Sequence, residues 1–281
     1  MISIKANIKD SPYYAPIMII SIYLISLFLC AIFVPIFSPY SYSDIHLHLK
    51  NSPPSFAHIF GTDELGRDIF TRTMYGAKIS LSVGIIAALL DILVGILWGS
   101  IAALAPKKVD ETMMRICDII SSIPYLLIVI LLIIVFGPGF LSIIIALSIT
   151  GWMNMARIIR GEVLKIKEKE YIAAAKVLGC SKWRLLYSHF LPNMIGPIIV
   201  TLTFTIPHAI FTEAFLSFLG LGIQAPISSW GVMVNDSIGA MRYYPWRLFF
   251  PAFFMMSTLL SLNLLGDFLK ELFDPRRGSN D

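Results

Sequence analysis

The sequence carries little charge. Asp, Glu, Lys and Arg make up 14% of its 281 residues, whereas hydrophobic residues make up 57%, and the mean hydropathy is +0.76. Soluble domains carry roughly 25% charged residues, and a soluble fold this apolar would expose patches that drive aggregation. The scarcity of charge therefore argues against a soluble domain and predicts a membrane protein.

Paired cysteines and several catalytic motifs are also missing. Cys30, Cys117 and Cys180 lie far apart and form no CxxC pair, so we expect no disulfide framework, no metal site and no cofactor. The sequence contains no P-loop of the form Gly-x4-Gly-Lys-Ser/Thr and neither an HExxH nor a GxSxG pattern. The chain should therefore not hydrolyse ATP, and energy for active transport must come from another subunit.

Six long apolar runs are present instead. The first covers residues 16–37, and its 22 residues would extend about 33 Å as a helix, enough to cross a bilayer. It lacks the short apolar core and cleavage site of a signal peptide, so we expect it to remain as an anchor helix. The other runs cover residues 79–104, 117–136, 140–155, 194–216 and 248–269. The sequence thus predicts an all-α integral membrane protein with six transmembrane helices.

Basic residues are unevenly distributed among the connecting segments. Segments 1–15, 105–116, 156–193 and 270–281 hold 16 of the 22 lysines and arginines, and the segments on the opposite side hold six. Because cytoplasmic segments are enriched in Lys and Arg, we predict that both termini and residues 156–193 are cytoplasmic. Residues 38–78 should then lie outside the cytoplasm.

The chain divides into three predicted parts. Residues 1–78 would form an N-terminal anchor helix and an external loop, residues 79–269 a transport core, and residues 270–281 a cytoplasmic tail. A secondary transporter is the main alternative of a different class. Such a transporter is expected to show repeated halves with matched broken helices, and the sequence shows no clear internal repeat.

The segment at residues 169–193 reads KEYIAAAKVLGCSKWRLLYSHFLPN and predicts a helix–turn–helix. Residues 168–178 are good helix formers, Gly179 suits a left-handed residue that ends a helix, and Ser181 suits the N-cap of the next helix. The small side chains of residues 173–175 leave a smooth face that suits docking into a groove on a partner. A solvated helix without a partner is the alternative.

This segment resembles the EAA loop of permease subunits in ATP-binding-cassette importers. Where the family usually reads Glu-Ala-Ala, the chain reads Glu-Tyr-Ile-Ala-Ala-Ala, a form common in the peptide-permease branch. In that family the loop is a coupling helix that inserts into a cleft on the ATPase subunit. The resemblance therefore implies a set of ATPase-coupling residues: Glu170, Ala173, Ala174, Gly179, Leu191 and Pro192.

Other stretches are similar to the dipeptide, oligopeptide and nickel branch. They are FGTDELGRDIF at 60–70, DETMMRICD at 110–118, SFLGLG at 217–222, LGD at 265–267 and LFDPR at 272–276. The resemblance implies a type I ABC importer permease fold in the cell inner membrane. It also implies a second permease subunit in a heterodimer, two ATP-binding subunits or domains, and an extracytoplasmic substrate-binding protein. Membrane lipid surrounds such a subunit, and we expect no nucleic-acid partner.

Each signature also has a plainly structural interpretation. Asp63, Glu64, Arg67 and Asp68 are able to form a polar network that orders the loop before the second span. The pairs Glu111–Arg115 and Arg115–Asp118 have the spacing that stabilises a helix end. The glycines of residues 220–222 allow a tight bend.

Asp91, His208 and Glu213 are ionisable residues that lie well inside apolar runs. A charge at that depth is costly, so each should face the bundle interior or water. A place on the translocation path and a hydrogen-bonded contact between helices both remain open. An intramembrane enzyme is a further alternative, although no paired motif positions the two carboxylates.

The substrate is predicted by resemblance to be a short peptide, with nickel or a nickel chelate as the alternative. Glutathione and antimicrobial peptides are also carried by relatives of this branch. His46 and His48 could form a nickel ligand pair, but two histidines on a polar loop are more often solvated. The apolar runs contain no cluster of histidines, cysteines or carboxylates that would hold a bare metal ion.

Overall fold

The computed structural model describes residues 13–273, and this part of the chain is built from helices, with a single isolated bridge between Thr62 and Asp68. The ten α-helices of the described range are α1 (Tyr14–Phe37), α2 (Ile69–Leu104), α3 (Lys107–Ser121), α4 (Tyr125–Phe136), α5 (Phe140–Lys167), α6 (Glu170–Val177), α7 (Lys182–Leu185), α8 (Leu191–Phe218), α9 (Trp230–Ile238) and α10 (Trp246–Leu272). A 3-10 turn covers Leu47–Leu49, and a π-helical turn, Leu186–Phe190, joins α7 to α8.

Five helical segments are long and apolar enough to cross a membrane: α1, α2, α5, α10, and the continuous segment from α7 to α8. Helices α3 and α4 satisfy the same criterion only as a pair, and they are bent by 77° at the break between them. Counting that pair as one span gives six. The predicted all-α membrane architecture is therefore confirmed, with the sixth span broken.

The break corrects the predicted helix at residues 117–136. Residues 117–121 belong to α3, whereas α4 begins only at Tyr125. Proline disfavours helical geometry at the residue before it and lacks an N–H group. Pro124 has extended backbone angles and stands immediately before α4, so it accounts for the end of one helix and the start of another.

Two further boundaries differ from the prediction. Helix α2 begins at Ile69, ten residues before the apolar run, because the Thr71 backbone N–H donates to Asp68 Oδ2 at 2.8 Å and caps the helix. Helix α5 continues to Lys167, well beyond residue 155. In both cases the helix extends through polar residues that hydropathy alone excludes from a span.

The described residues form two compact units, one from residues 13–82 and 210–272 and the other from residues 83–209 and 273. In the first unit α1 and α9 both pack against α10. The hydroxyls of Tyr23 and Ser257 lie 2.5 Å apart and connect α1 to α10. Phe60, from the loop after α1, stacks on Phe250 of α10 with 3.8 Å between ring centroids.

The second unit is organised around α5, which contacts α3, α4 and α6. Helices α2 and α5 also approach closely. A Cβ atom added at Gly95 would lie 2.6 Å from the Met155 side chain, and one at Gly99 would lie 2.4 Å from the Ala156 carbonyl oxygen. Small residues four apart allow this kind of close crossing between membrane helices.

Candidate functional site

The turn after α6 has the geometry that the sequence predicts. Gly179 has a φ of +79°, its N–H donates to Lys176 O at 3.0 Å, and the Cys180 N–H donates to Ala175 O at 3.0 Å. This pair of bonds is the Schellman motif that ends helices at a left-handed glycine. Ser181 Oγ accepts from the Arg184 N–H at 3.3 Å and caps α7. The predicted turn between two helices is confirmed, but the second helix, predicted to end at Leu191 before Pro192, continues through the π-helical turn into α8.

One face of α6 is exposed along its whole length. Glu170, Ala173 and Ala174 lie on this face. Just beyond them, Val177 is 88% exposed and Leu178 is 87% exposed. Large apolar side chains in water at the end of a short helix are typical of a protein interaction site. The sequence-based prediction included two of the alanines but neither Val177 nor Leu178, although these two residues directly precede Gly179.

The opposite face of α6 is fixed to the rest of the second unit by Ile172, which is fully buried. It belongs to an apolar cluster that also takes residues from α2, α5, α7, the π-helical turn and α8. The cluster consists of Ala103, Met155, Ile159, Val163, Ile166, Ile172, Leu185, Leu186, Phe190 and Met194, and Leu191 packs against its edge. Pro192 is exposed.

Sequence reasoning missed this apolar cluster. The signal for it was the helical spacing of Met155, Ile159 and Val163, one turn apart along α5. The cluster therefore joins the short helices to α5 and α8.

Ion pairs hold α3 against α5. The Arg160 guanidinium donates to both carboxylate oxygens of Asp110, at 2.5 and 2.6 Å, and Arg157 Nη2 donates to Asp118 Oδ1 at 3.1 Å. The pairs predicted within α3 are replaced, because Asp118 pairs with α5 and Glu111 lies 3.8 Å from Lys107. Only the bidentate pair has the geometry of a strong, specific contact.

Asp91 lies in the second unit at the crossing of α2 and α5. Its side chain is 4% exposed, and Oδ1 has no hydrogen-bond partner among the described residues. The carboxylate lies directly against the α5 backbone at Gly151, where an added Cβ would be 2.2 Å from Asp91 Oδ2. Glycine at this position makes room for the carboxylate.

Glu213 lies in the first unit and is enclosed by hydroxyl groups. Ser80 donates to Oε2 at 3.3 Å, and Ser217 and Ser229 donate to Oε1 at 2.8 and 2.6 Å. Ser229 Oγ also accepts from the Val232 N–H and caps α9. Glu213 thereby joins α2, α8 and the start of α9, and it is fully buried. His208, which belongs to the second unit, is exposed on α8.

The motif at residues 60–70 forms the polar network that the sequence predicts. Asp63 Oδ2 lies 2.7 Å from Arg67 Nε and 3.4 Å from Arg72 Nε, and Asp63 Oδ1 accepts the N–H groups of Leu65 and Arg67. These bonds order the loop before α2. The rings of His46 and His48 are in edge-to-face contact, with 5.8 Å between ring centroids.

Two further members of this network were not predicted: Arg247, which is distant in sequence, and His58, which lies ten residues before Asp68. Arg247 of α10 donates to Glu64 Oε2 at 3.0 Å, and His58 Nδ1 lies 2.9 Å from Asp68 Oδ1. Asp236 lines a pocket together with Arg72, Arg247 and other members of this network. Desolvation raises the pKa of its carboxyl, and the Arg72 guanidinium opposes that shift.

The described residues combine membrane-crossing helices with a short helix, α6, whose exposed face is suited to contact with another protein. Residues 95–279 match the family described as "Binding-protein-dependent transport system inner membrane component". The chain belongs to this family and is a multi-pass inner-membrane permease subunit.

Curated relatives match over most of the chain. The oligopeptide transport system permease protein OppC of Bacillus subtilis (strain 168) is 53% identical, with 91% of this chain and 84% of the relative aligned. The dipeptide transport system permease protein DppC of the same strain is 52% identical, with 90% and 79% aligned. OppC of Salmonella typhimurium is 43% identical, with 90% and 85% aligned.

Solved structures show the same fold. An inward-facing structure of the MetNI methionine ABC transporter has a TM-score of 0.60 at 16% identity, covering 72% of this chain and 97% of the other. A crystal structure of an amino acid ABC transporter has a TM-score of 0.51 at 19% identity, covering 73% and 93%. The predicted type I ABC importer permease fold is confirmed.

Proposed function

We propose that this permease subunit forms part of the translocation path of an importer of short peptides. The observation that carries the proposal is the 53% identity to an oligopeptide permease over 91% of the chain. A dipeptide permease is nearly as similar, at 52%. Because the two relatives are named for peptides of different length, the proposal specifies short peptides and no single length.

We propose that an ATPase subunit docks on the exposed face of α6. Glu170, Ala173 and Ala174 form the contact surface, Gly179 sets the turn, and Leu191-Pro192 begins the helix that leads into the membrane. The exposure of Val177 and Leu178 supports this assignment, since both would be buried by a docked partner. The absent P-loop supports ATP hydrolysis by that partner.

The remaining partners follow from the family. We propose a second permease subunit that completes a heterodimer and an extracytoplasmic protein that delivers the peptide. The binding-protein-dependent family supports both proposals. We also propose the division into an anchor region at residues 1–78, a transport core at 79–269 and a tail at 270–281.

Of the three polar residues at membrane depth, we assign the translocation path to His208, whose side chain is exposed. Asp91 touches α5 and Glu213 is enclosed by serines. We therefore assign these two carboxyl groups to contacts between helices rather than to the path.

Uptake measurements in cells test the peptide assignment. Deletion of the gene should confer resistance to a toxic tripeptide and stop growth on peptides as the sole source of an essential amino acid. A plasmid copy should restore both phenotypes. If peptide uptake persists while a nickel-dependent enzyme loses activity and regains it with added nickel, the peptide assignment is wrong and the nickel alternative holds.

We propose that both termini and residues 156–193 face the cytoplasm, on the basis of the uneven distribution of basic residues. In a variant lacking the native cysteines, a membrane-impermeant thiol reagent added to intact cells should label Lys50→Cys and spare Lys176→Cys. Both positions are exposed, so disruption of the membrane should make them react equally. The reverse labelling pattern in intact cells would contradict the topology.

A further inference from the structure

Helix α3 is strongly two-sided. With successive residues 100° apart, Val109, Ile116 and Ile119 fall on one side of the helix. Lys107, Asp110, Glu111 and Asp118 fall on the other side, and Lys108 and Arg115 lie at the border beside Ile119. A helix with this pattern has one face suited to water and one suited to an apolar medium.

The contacts of α3 with its own chain leave the apolar side uncovered. Asp110 and Asp118 bind arginines of α5, and Cys117 is fully buried. Val109 and Ile116 are exposed, and Ile119 is 60% exposed. The helix is therefore held by one flank while its apolar stripe points away from the second unit.

The uncovered stripe is continuous with exposed apolar side chains of α4, the apolar half of the broken span. Ile123, in the break after α3, is exposed, and so are Leu126, Leu127 and Leu131 of α4. Helix α4 consists of 12 apolar residues and is about 18 Å long. Exposed apolar side chains on both sides of the break are suited to the same apolar surroundings.

The 77° bend separates the roles of the two helices. A straight continuation of α4 into α3 would carry the charged side of α3 into the bilayer and bury those charges. A bend close to a right angle places the charged helix along the membrane surface while α4 enters the membrane.

We propose that α3 is an interfacial helix that lies in the bilayer surface, with Val109, Ile116 and Ile119 among the acyl chains. Lys108 and Arg115 border this stripe and are exposed, so their ends reach the lipid headgroups. The helix carries three basic and three acidic side chains. Its attraction to the bilayer is therefore apolar and does not depend on anionic lipid.

This arrangement gives α5 a fixed depth in the membrane. The bidentate Arg160–Asp110 pair joins the interfacial helix to α5, seven residues before Lys167. The lipid contact is independent of the peptide assignment and of ATPase docking. Only the identity of the leaflet, cytoplasmic under the proposed topology, rests on the proposed function.

Spin-label accessibility in proteoliposomes tests the proposal. The complete transporter, with Cys30, Cys117 and Cys180 replaced, would carry one nitroxide at Ile119→Cys or, as a matched control on the polar side, at Glu111→Cys. Oxygen concentrates in lipid and a nickel chelate remains in water. We expect the label at position 119 to collide more with oxygen and less with the chelate. The label at position 111 should show the reverse. A label at Ile116→Cys should give the same result as the label at position 119.

Three outcomes would overturn the proposal. Equal access of the chelate to positions 111 and 119 would place α3 in water. Exclusion of both reagents from position 119 would show that a protein partner, such as the second permease or the ATPase, covers the stripe. Vesicles of zwitterionic lipid alone should give the same pattern as vesicles containing anionic lipid, and loss of the pattern without anionic lipid would refute an apolar attachment. Transport by each labelled variant shows that it is folded.

Discussion

Substitution of Gly179 tests the proposed coupling role of α6 most directly. The φ of +79° lies in the left-handed region, where a side chain is unfavourable. An added Cβ meets no atom within 4 Å. The cost of a substitution is therefore conformational and contains no steric clash with neighbouring residues, so the type of side chain alone should rank the variants.

The magnitudes follow from the backbone. A residue with a Cβ costs about 1–2 kcal/mol in the left-handed helical region, asparagine tolerates that region better, and a β-branched residue is a genuine outlier there. We expect transport to decline in the order glycine, Gly179→Asn, Gly179→Ala, Gly179→Val, with the valine variant inactive. Gly161 of α5 is the matched control, because it also has open space around it but lies within a helix. Gly161→Ala should be neutral or stabilise the helix by up to about 1 kcal/mol.

The assay is peptide uptake by proteoliposomes that contain the complete transporter, with ATP hydrolysis measured in parallel. Because the altered turn displaces α6 from the ATPase, uptake should fall while the amount of permease in the membrane stays constant. Normal uptake by Gly179→Val would refute the reasoning. A loss explained fully by degradation of the permease, or an equal loss in Gly161→Ala, would also count against a role of the turn.

Three further substitutions test other contacts. Phe190→Ala should remove about 3–5 kcal/mol of apolar packing and lower the thermal unfolding temperature of the permease; an unchanged temperature would argue against a rigid cluster. Glu213→Ala should lower that temperature more than Glu213→Gln, because alanine leaves three buried hydroxyls without their acceptor. Each unsatisfied hydroxyl costs about 1–3 kcal/mol. Equal effects of the two substitutions would contradict the hydrogen bonds between the serines and Glu213. Gly151→Ala should destabilise the crossing of α2 and α5, and combining it with Asp91→Ala should recover stability; no recovery would contradict their contact.

Local features were predictable from the sequence because their hydrogen bonds join near neighbours. The bonds that fix Gly179 and Ser181 span at most five residues, and the relevant residue preferences are strong. The apolar runs that became α1 and α10 were equally clear. The Asp63–Arg67 contact is also local, whereas the arginine of α10 that completes the network lies 183 residues from Glu64 and no local pattern reveals it.

The break between α3 and α4 was missed because hydropathy ignores direction. Ile116 and Ile119 contribute as much to a window average as the leucines of α4, although they lie on the apolar side of a helix that also carries charges. Two signals were present in the sequence: the helical spacing of the charges from Lys107 to Asp118 and the position of Pro124. Both indicate a change of direction rather than one straight span.

The sequence alone does not distinguish the surroundings of the two carboxyl groups at membrane depth. Asp91 and Glu213 have similar surroundings in the sequence, each within an apolar run. In the structure Glu213 accepts hydrogen bonds from Ser80, 133 residues away, and from Ser229, whereas Asp91 lies against a glycine backbone. Their difference is set by residues on other helices, so only the folded chain distinguishes them.

The construction of α6 has a mechanical consequence. Helices shorter than about 12 residues are marginal in isolation, and α6 has eight. Its position must therefore come from the burial of Ile172 in the cluster shared with α5 and α8. The same helix exposes Val177 and Leu178 on its other side. A partner that binds the exposed side can displace α6 only by moving the cluster or by breaking it. Since breaking it would expose several large apolar side chains to water, displacement of the long helices is the less costly response.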